Sequence, residues 1–185
     1  MSSLKEAFIL LDIKDNFQDN FQDNTIYDVK LPQIYKKLIL GNFNFSSKNV
    51  YNNTMIINLC KVKLENPNNK FINNFRLDDS YNQSYSYFKN IMEQCIKLIK
   101  IAEYNNYPVI VNCAAGINRS CSVIVAYAIS KGLPIEATIK YIVSQKQNKY
   151  GNKWPTLTNT QFIQYLKKMK SELNELNELN ELNEL

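Results

Sequence analysis

Val109-Ile110-Val111-Asn112-Cys113-Ala114-Ala115-Gly116-Ile117-Asn118-Arg119-Ser120 reads as a buried strand, a tight loop and the opening of a helix. The apolar, β-branched run before Asn112 suits a strand. Cys121 to Ile129, almost wholly apolar, suits a buried helix. A strand, a tight loop and a helix N-terminus form an anion-binding device, because successive loop N–H groups converge on one point. Here a thiol stands at one end of the loop and a guanidinium at the other, in Cys-x5-Arg spacing. The thiolate is the nucleophilic form of cysteine, and a helix N-terminus with a nearby cation favours it over the thiol. Arginine can grip two phosphate oxygens at once, which lysine cannot copy. This chain takes nearly all its positive charge from lysine; Arg76 and Arg119 are its only arginines. Gly116 suits a backbone that bends closely around a ligand.

The rest of the chain bounds the reading. Its 185 residues fit one domain with a full core plus extra sequence at the ends. With 45% hydrophobic and 21% charged residues the composition is that of a globular protein, and a net charge of +5 leans mildly toward anionic partners. No block of basic residues points to nucleic acid. No run approaches the ~18–20 apolar residues of a membrane span, and the N-terminus lacks the apolar core of a signal peptide. Cys60, Cys95, Cys113 and Cys121 show no framework spacing, which implies a reducing, intracellular and cytoplasmic setting. The chain has no histidine. Ser-His-Asp and Cys-His hydrolases are thereby excluded, and neither a zinc site nor a cofactor is expected.

Residues 1–27 carry a tandem Asn-Phe-Gln-Asp and read as a polar, peripheral arm. Strands are expected at Ile34 to Leu40, Met55 to Leu59 and Phe71 to Leu77, with a short helix opening at Ser46-Ser47-Lys48-Asn49 and a turn at Asn66-Pro67-Asn68-Asn69. Phe88, Ile91, Met92, Cys95, Leu98, Ile99 and Ala102 recur at helical steps and predict an amphipathic helix over Ser84 to Glu103. After the loop come helices over Ser120–Ser130, closed by Gly132, from Pro134 with Ile135, Ile139, Ile142 and Val143 on one face, and over Thr158–Met169. The Glu-Leu-Asn repeat of residues 171–185 has period three, so its leucines drift around a helix axis and form no apolar stripe. It is expected to extend the last helix as a frayed end. Strands alternating with helices predict an α/β sandwich, a mostly parallel twisted sheet flanked by helices.

Residues 111–120 closely resemble the signature of the cysteine-based protein phosphatases, and best the dual-specificity subfamily. The resemblance extends to Leu38-Ile39-Leu40-Gly41-Asn42, to Ile56-Ile57-Asn58-Leu59, to Asp78-Asp79 followed by Tyr87-Phe88, and to Asn159, Phe162, Gln164 and Leu166. It covers about residues 28–168 and implies a catalytic domain at 28–170. It also implies a phosphoprotein substrate, carrying phosphotyrosine or phosphoserine/threonine, and a phosphocysteine intermediate on Cys113. Backbone N–H groups of Ala114, Ala115, Gly116, Ile117, Asn118 and Arg119, with the Arg119 guanidinium, would bind the phosphoryl group. Asp78, or failing it Asp79, would be the general acid, and Ser120 would stabilise the departing thiolate, a role compatible with capping the helix that starts beside it. The family's usual histidine before the cysteine is Asn112 here, which implies a Cys113 thiolate less favoured than usual. Cys60 could form a disulfide with Cys113. Two other readings are an RNA 5′-triphosphatase of the same fold, for which Asn118-Arg119 speaks, and a pseudophosphatase that binds phosphoproteins, for which only Asn112 speaks. Neutral loop residues Ala114, Ala115, Ile117 and Asn118 argue against a phosphoinositide substrate.

Overall fold

The computed structural model describes residues 9–10, 35, 37–43, 46, 54–65, 71–150 and 155–183. Five strands form one sheet: β1 (Ile9–Leu10), β2 (Leu38–Asn42), β3 (Met55–Asn58), β4 (Ile72–Asn74) and β5 (Val109–Cys113). Their order is β1-β2-β5-β3-β4, all pairs parallel except β1 on β2. β5 lies between β2 and β3, and every one of its residues is buried, which is why Val109-Ile110-Val111 is apolar on both faces rather than alternating. In register, Leu38 and Met55 both stand beside Val109, so the strands finish level at Asn42, Asn58 and Cys113. In open α/β sheets this carboxyl edge is where ligands bind.

Alternation along the strands splits the apolar residues between two faces. Leu38, Leu40, Met55, Ile57, Val109 and Val111 belong to the main core, while Ile39, Ile56 and Ile110 form a smaller cluster with Leu64. Helices cover the main face: α1 (Tyr85–Tyr104), α2 (Arg119–Ser130), α3 (Ile135–Tyr150) and α4 (Thr160–Asn183). α2 is central. It packs against each of the other three helices and against β5, so residues 120–129 are buried on every side. α1 starts where Ser84 Oγ accepts from the Tyr87 N–H, and it buries Phe88, Ile91, Met92, Cys95, Ile99 and Ala102. The single α/β domain with a parallel, helix-flanked sheet is the architecture expected from the sequence.

Several boundaries differ. The first expected strand begins at Leu38 rather than Ile34, because Leu38 N–H closes a turn onto the Tyr35 carbonyl and Tyr35 Oη reaches back to Tyr107 O at 2.6 Å. β4 stops at Asn74, since Arg76, Leu77 and Asp78 leave the sheet toward the site. α4 runs past Met169 to Asn183. β1 lies in the segment read as a peripheral arm; the rest of that arm, the turn at residues 66–69 and most of the short helix expected at 46–49 lie outside the described residues. Among the described residues no helix is long and apolar enough to cross a membrane.

Candidate active site

β5 delivers Cys113 to the carboxyl edge, the chain loops through residues 114–118, and α2 starts at Arg119. Gly116 adopts φ +70°, a conformation that strains any side chain, and a Cβ there would sit a tight 3.2 Å from the Gly41 carbonyl oxygen. The bend turns the Gly116 N–H back onto Cys113 Sγ at 3.2 Å. Ser120 Oγ lies 3.2 Å from the same sulfur. Asn118 stands at the N-cap without a side-chain cap bond, so Ser120 engages the thiol and does not cap the helix. Cys113 is 1% exposed, with the Gly116 N–H and Ser120 Oγ each 3.2 Å from its sulfur.

Arg119 reaches over the loop from the first turn of α2. Its Nη1 donates to the carbonyls of Leu59 and Leu77, both at 3.3 Å, which fixes the guanidinium between the ends of two chain segments. Its Nε, buried, donates no hydrogen bond among the described residues and lies 4.0 Å from Asp79 Oδ2. A cleft opens beside it, lined by Phe43, Cys60, Lys61, Val62, Asp78, Asp79, Ser80, Ala114 and Arg119.

The two aspartates on this cleft differ in what they touch. Asp79 accepts from Asn118 Nδ2 on both oxygens, at 3.2 and 3.1 Å, and from Asn159 Nδ2 at 3.0 Å. Asn159 Oδ1 in turn caps α4, accepting from the N–H groups of Gln161 and Phe162. Asp79 therefore ties its own segment to the residue 114–118 loop and to the last helix. Asp78 has a looser environment: its oxygen lies 3.3 Å from Lys61 Nζ, off the hydrogen-bonding direction, and Lys61 is largely exposed.

Asn112 joins a row of amides. Its Nδ2 donates to Asn58 Oδ1 at 2.9 Å, and Asn58 Nδ2 donates to Asn74 Oδ1 at 2.8 Å. The three asparagines occupy one register line across β5, β3 and β4. Asn112 Nδ2 also approaches Cys60 Sγ at 3.9 Å. All four cysteines are free thiols. Burial pushes the Cys60 thiol up, partly offset by the Arg119 charge, and burial alone pushes Cys95 up. Among the described residues no cluster of three metal-ligating side chains occurs.

The sequence placed Cys113, Arg119, Ser120, Asp78 and the loop residues Ala114 to Asn118 together, and the structure brings them to one edge of the sheet. It did not single out the side-chain links from Asn118 and Asn159 to Asp79, the Asn58–Asn74 support of Asn112, or Lys146. Only Lys146 left a signal: it continues the apolar stripe of Ile135, Ile139 and Ile142 at helical spacing.

Comparison with known proteins bears on this geometry. The model of the dual specificity phosphatase catalytic domain matches residues 38–172. The chain belongs to the dual specificity phosphatase family. It is 29% identical over 106 residues to the dual specificity protein phosphatase OPG106 of vaccinia virus, a match covering 55% of this chain and 60% of that protein. The chain thus spans less than two thirds of the curated relatives it matches. Among solved structures, a mouse putative dual specificity phosphatase complexed with zinc tungstate superposes with a TM-score of 0.57 at 15% identity, over 83% of this chain and 95% of that one. OH1 of Orf virus, a tyrosine phosphatase with triple substrate specificity, gives a TM-score of 0.53 at 20% identity, over 71% and 81%. These likenesses establish a shared dual-specificity-phosphatase fold.

Proposed function

We propose that this family member hydrolyses phosphate monoesters of proteins, on tyrosine and on serine or threonine, through a phosphocysteine intermediate. The observation that carries the reading is the convergence on Cys113 Sγ of the Gly116 N–H and Ser120 Oγ, with Arg119 and Asp78 on the adjoining cleft. In the first step the Cys113 thiolate attacks phosphorus in line, an S–P bond forms, and the P–O bond to the leaving group breaks. Asp78 gives its proton to the departing oxygen. The loop N–H groups and Arg119 stabilise the charge spread over the three equatorial oxygens. In the second step Asp78, now a carboxylate, takes a proton from water as the water oxygen attacks phosphorus. The S–P bond breaks, phosphate leaves, and Ser120 donates to the returning thiolate. Asp78 fits the acid role better than Asp79 because the amides of Asn118 and Asn159 already occupy the Asp79 oxygens. Those same contacts give Asn118 a structural task, which weakens its use as support for a triphosphatase.

The test is hydrolysis of para-nitrophenyl phosphate and of phosphotyrosine and phosphothreonine peptides, with RNA 5′-triphosphate as a competing substrate. Wild type should release phosphate from both peptides. Cys113→Ser should abolish turnover, and Asp78→Asn should lower kcat ~10²–10⁴-fold, the usual contribution of a general acid. Turnover surviving Cys113→Ser overturns the mechanism, and clean, folded wild type inactive on every ester supports a phosphoprotein-binding module instead.

A further inference from the structure

Lys146 is 2% exposed, the one buried lysine, arginine, aspartate or glutamate among the described residues. Its ammonium donates to the Gly116 carbonyl at 2.7 Å and to the Pro155 carbonyl at 3.3 Å, and lies 3.5 Å from Cys121 Sγ. Among the described residues it forms no ion pair with a carboxylate. A charge taken out of water and set against neutral acceptors is costly, and such groups persist where another charge compensates them. Cys121 is not that charge: burial pushes its thiol up to about 12, and it donates to the same Gly116 oxygen at 3.5 Å.

The Gly116 carbonyl gives Lys146 its connection to the site. All peptides described here are trans, so in each one the C=O and the following N–H point in opposite directions. Three loop carbonyls are held from outside. Phe43 N–H donates to Ala114 O at 3.5 Å, Leu157 N–H donates to Ile117 O at 3.0 Å, and Lys146 holds Gly116 O. Holding those oxygens outward turns the N–H groups of Ala115, Ile117 and Asn118 inward. Of the three outer donors only Lys146 carries charge, and a charged donor on the oxygen polarises the peptide so that its N–H binds an anion more strongly.

We propose that Lys146 is a positioning residue of the phosphate loop: it fixes the Gly116–Ile117 peptide with the Ile117 N–H toward the anion and supplies a buried positive charge that the bound phosphoryl group compensates. The inference rests on the phosphate-site reading above but not on turnover. Inorganic tungstate binding, measured calorimetrically in the Cys113→Ser protein, separates the two. Adding Lys146→Gln, which keeps a donor but no charge, or Lys146→Met, which keeps neither, should weaken tungstate binding ~10–100-fold, the range typical of residues that orient a contacting group. The Met variant should lose more. In the enzyme with Cys113 intact, Lys146→Gln should lower kcat/KM by a similar factor. Folded variants that bind tungstate as their parent does overturn the proposal, even if hydrolysis stands. A wild type that fails to hydrolyse esters while its tungstate binding depends on Lys146 sinks the phosphatase reading and supports this one. Should both variants unfold, the Ile117 amide resonance of the Cys113→Ser protein decides: a downfield shift on adding tungstate supports an inward N–H, and an unmoved resonance overturns it.

Discussion

Asn112 sits where the resemblance leads one to expect histidine, and its surroundings show what the amide does. It is fully buried, donates to Asn58, and leaves its own Oδ1 without a hydrogen-bond partner among the described residues. A buried unsatisfied acceptor costs about 1–3 kcal/mol, so position 112 is not optimised for an amide. An imidazole there could donate to Asn58 Oδ1 through one nitrogen and be charged near pH ~6, since an unperturbed histidine titrates near ~6.5. A positive charge beside a cysteine favours the thiolate, and one pKa unit is a ~tenfold change in thiolate population at pH values below the pKa. Asn112→His should therefore raise kcat/KM near pH ~6 by up to about tenfold, and by less at pH ~8. Rate profiles of both proteins over that range check this; no gain at the acidic end counts against it. At this scale the sequence was informative where chemistry is local. Cys113, Gly116, Arg119 and Ser120 lie within one strand–loop–helix, so their spacing alone placed them together. Sequence ranks Asp78 before Asp79, but what separates the two carboxylates physically is the distant amides that Asp79 meets.

α4 illustrates the element scale. Its first half was legible from Phe162 and Leu166, which are fully buried. The repeat beyond them continues the helix, and the leucines behave as a three-residue period on a 3.6-residue helix requires. Leu173 still packs on the core, while Leu176, Leu179 and Leu182 are exposed. What anchors the junction is polar: Lys89 Nζ of α1 meets Glu172 Oε2 at 2.6 Å, and Lys168 Nζ lies 4.3 Å above the Tyr85 ring. The Lys89 hydrogen bond holds the Glu172 pKa below its ordinary 4.5. A carboxylate with a lowered folded-state pKa contributes stability that is present above its unfolded value and lost as pH falls. Glu172→Gln should thus lower the melting temperature slightly at pH ~7, by an amount that fades below pH ~4.5 and shrinks in high salt. Melts of the two proteins across pH measure it; a difference that persists unchanged at pH ~3 would argue that the ion pair is not its source.

For the molecule as a whole, stability rests on the helices gathered round α2. Phe88 of α1 and Phe162 of α4 meet there with ring centroids 4.9 Å apart, both fully buried. Phe88→Ala should cost about 3–5 kcal/mol, since it removes a buried ring and leaves a cavity. Against a typical total of ~5–15 kcal/mol that is a large share, readable in denaturant midpoints; a loss under ~1 kcal/mol would mean that the helices do not form one cooperative core. The sequence by itself determined the α/β architecture, the apolar stripes of the helices and the thiol–guanidinium loop. Each is written in short-range periodicity or spacing, which a linear chain displays openly. Tertiary structure alone decided which aspartate is tied down, what lies behind Asn112 and what grips the loop from outside. Those answers depend on hydrogen bonds of about 3 Å between Asn118 and Asp79, Asn112 and Asn58, and Lys146 and Gly116, partners 39, 54 and 30 residues apart. Only strand register and helix docking bring such groups within that reach, and neither is encoded locally.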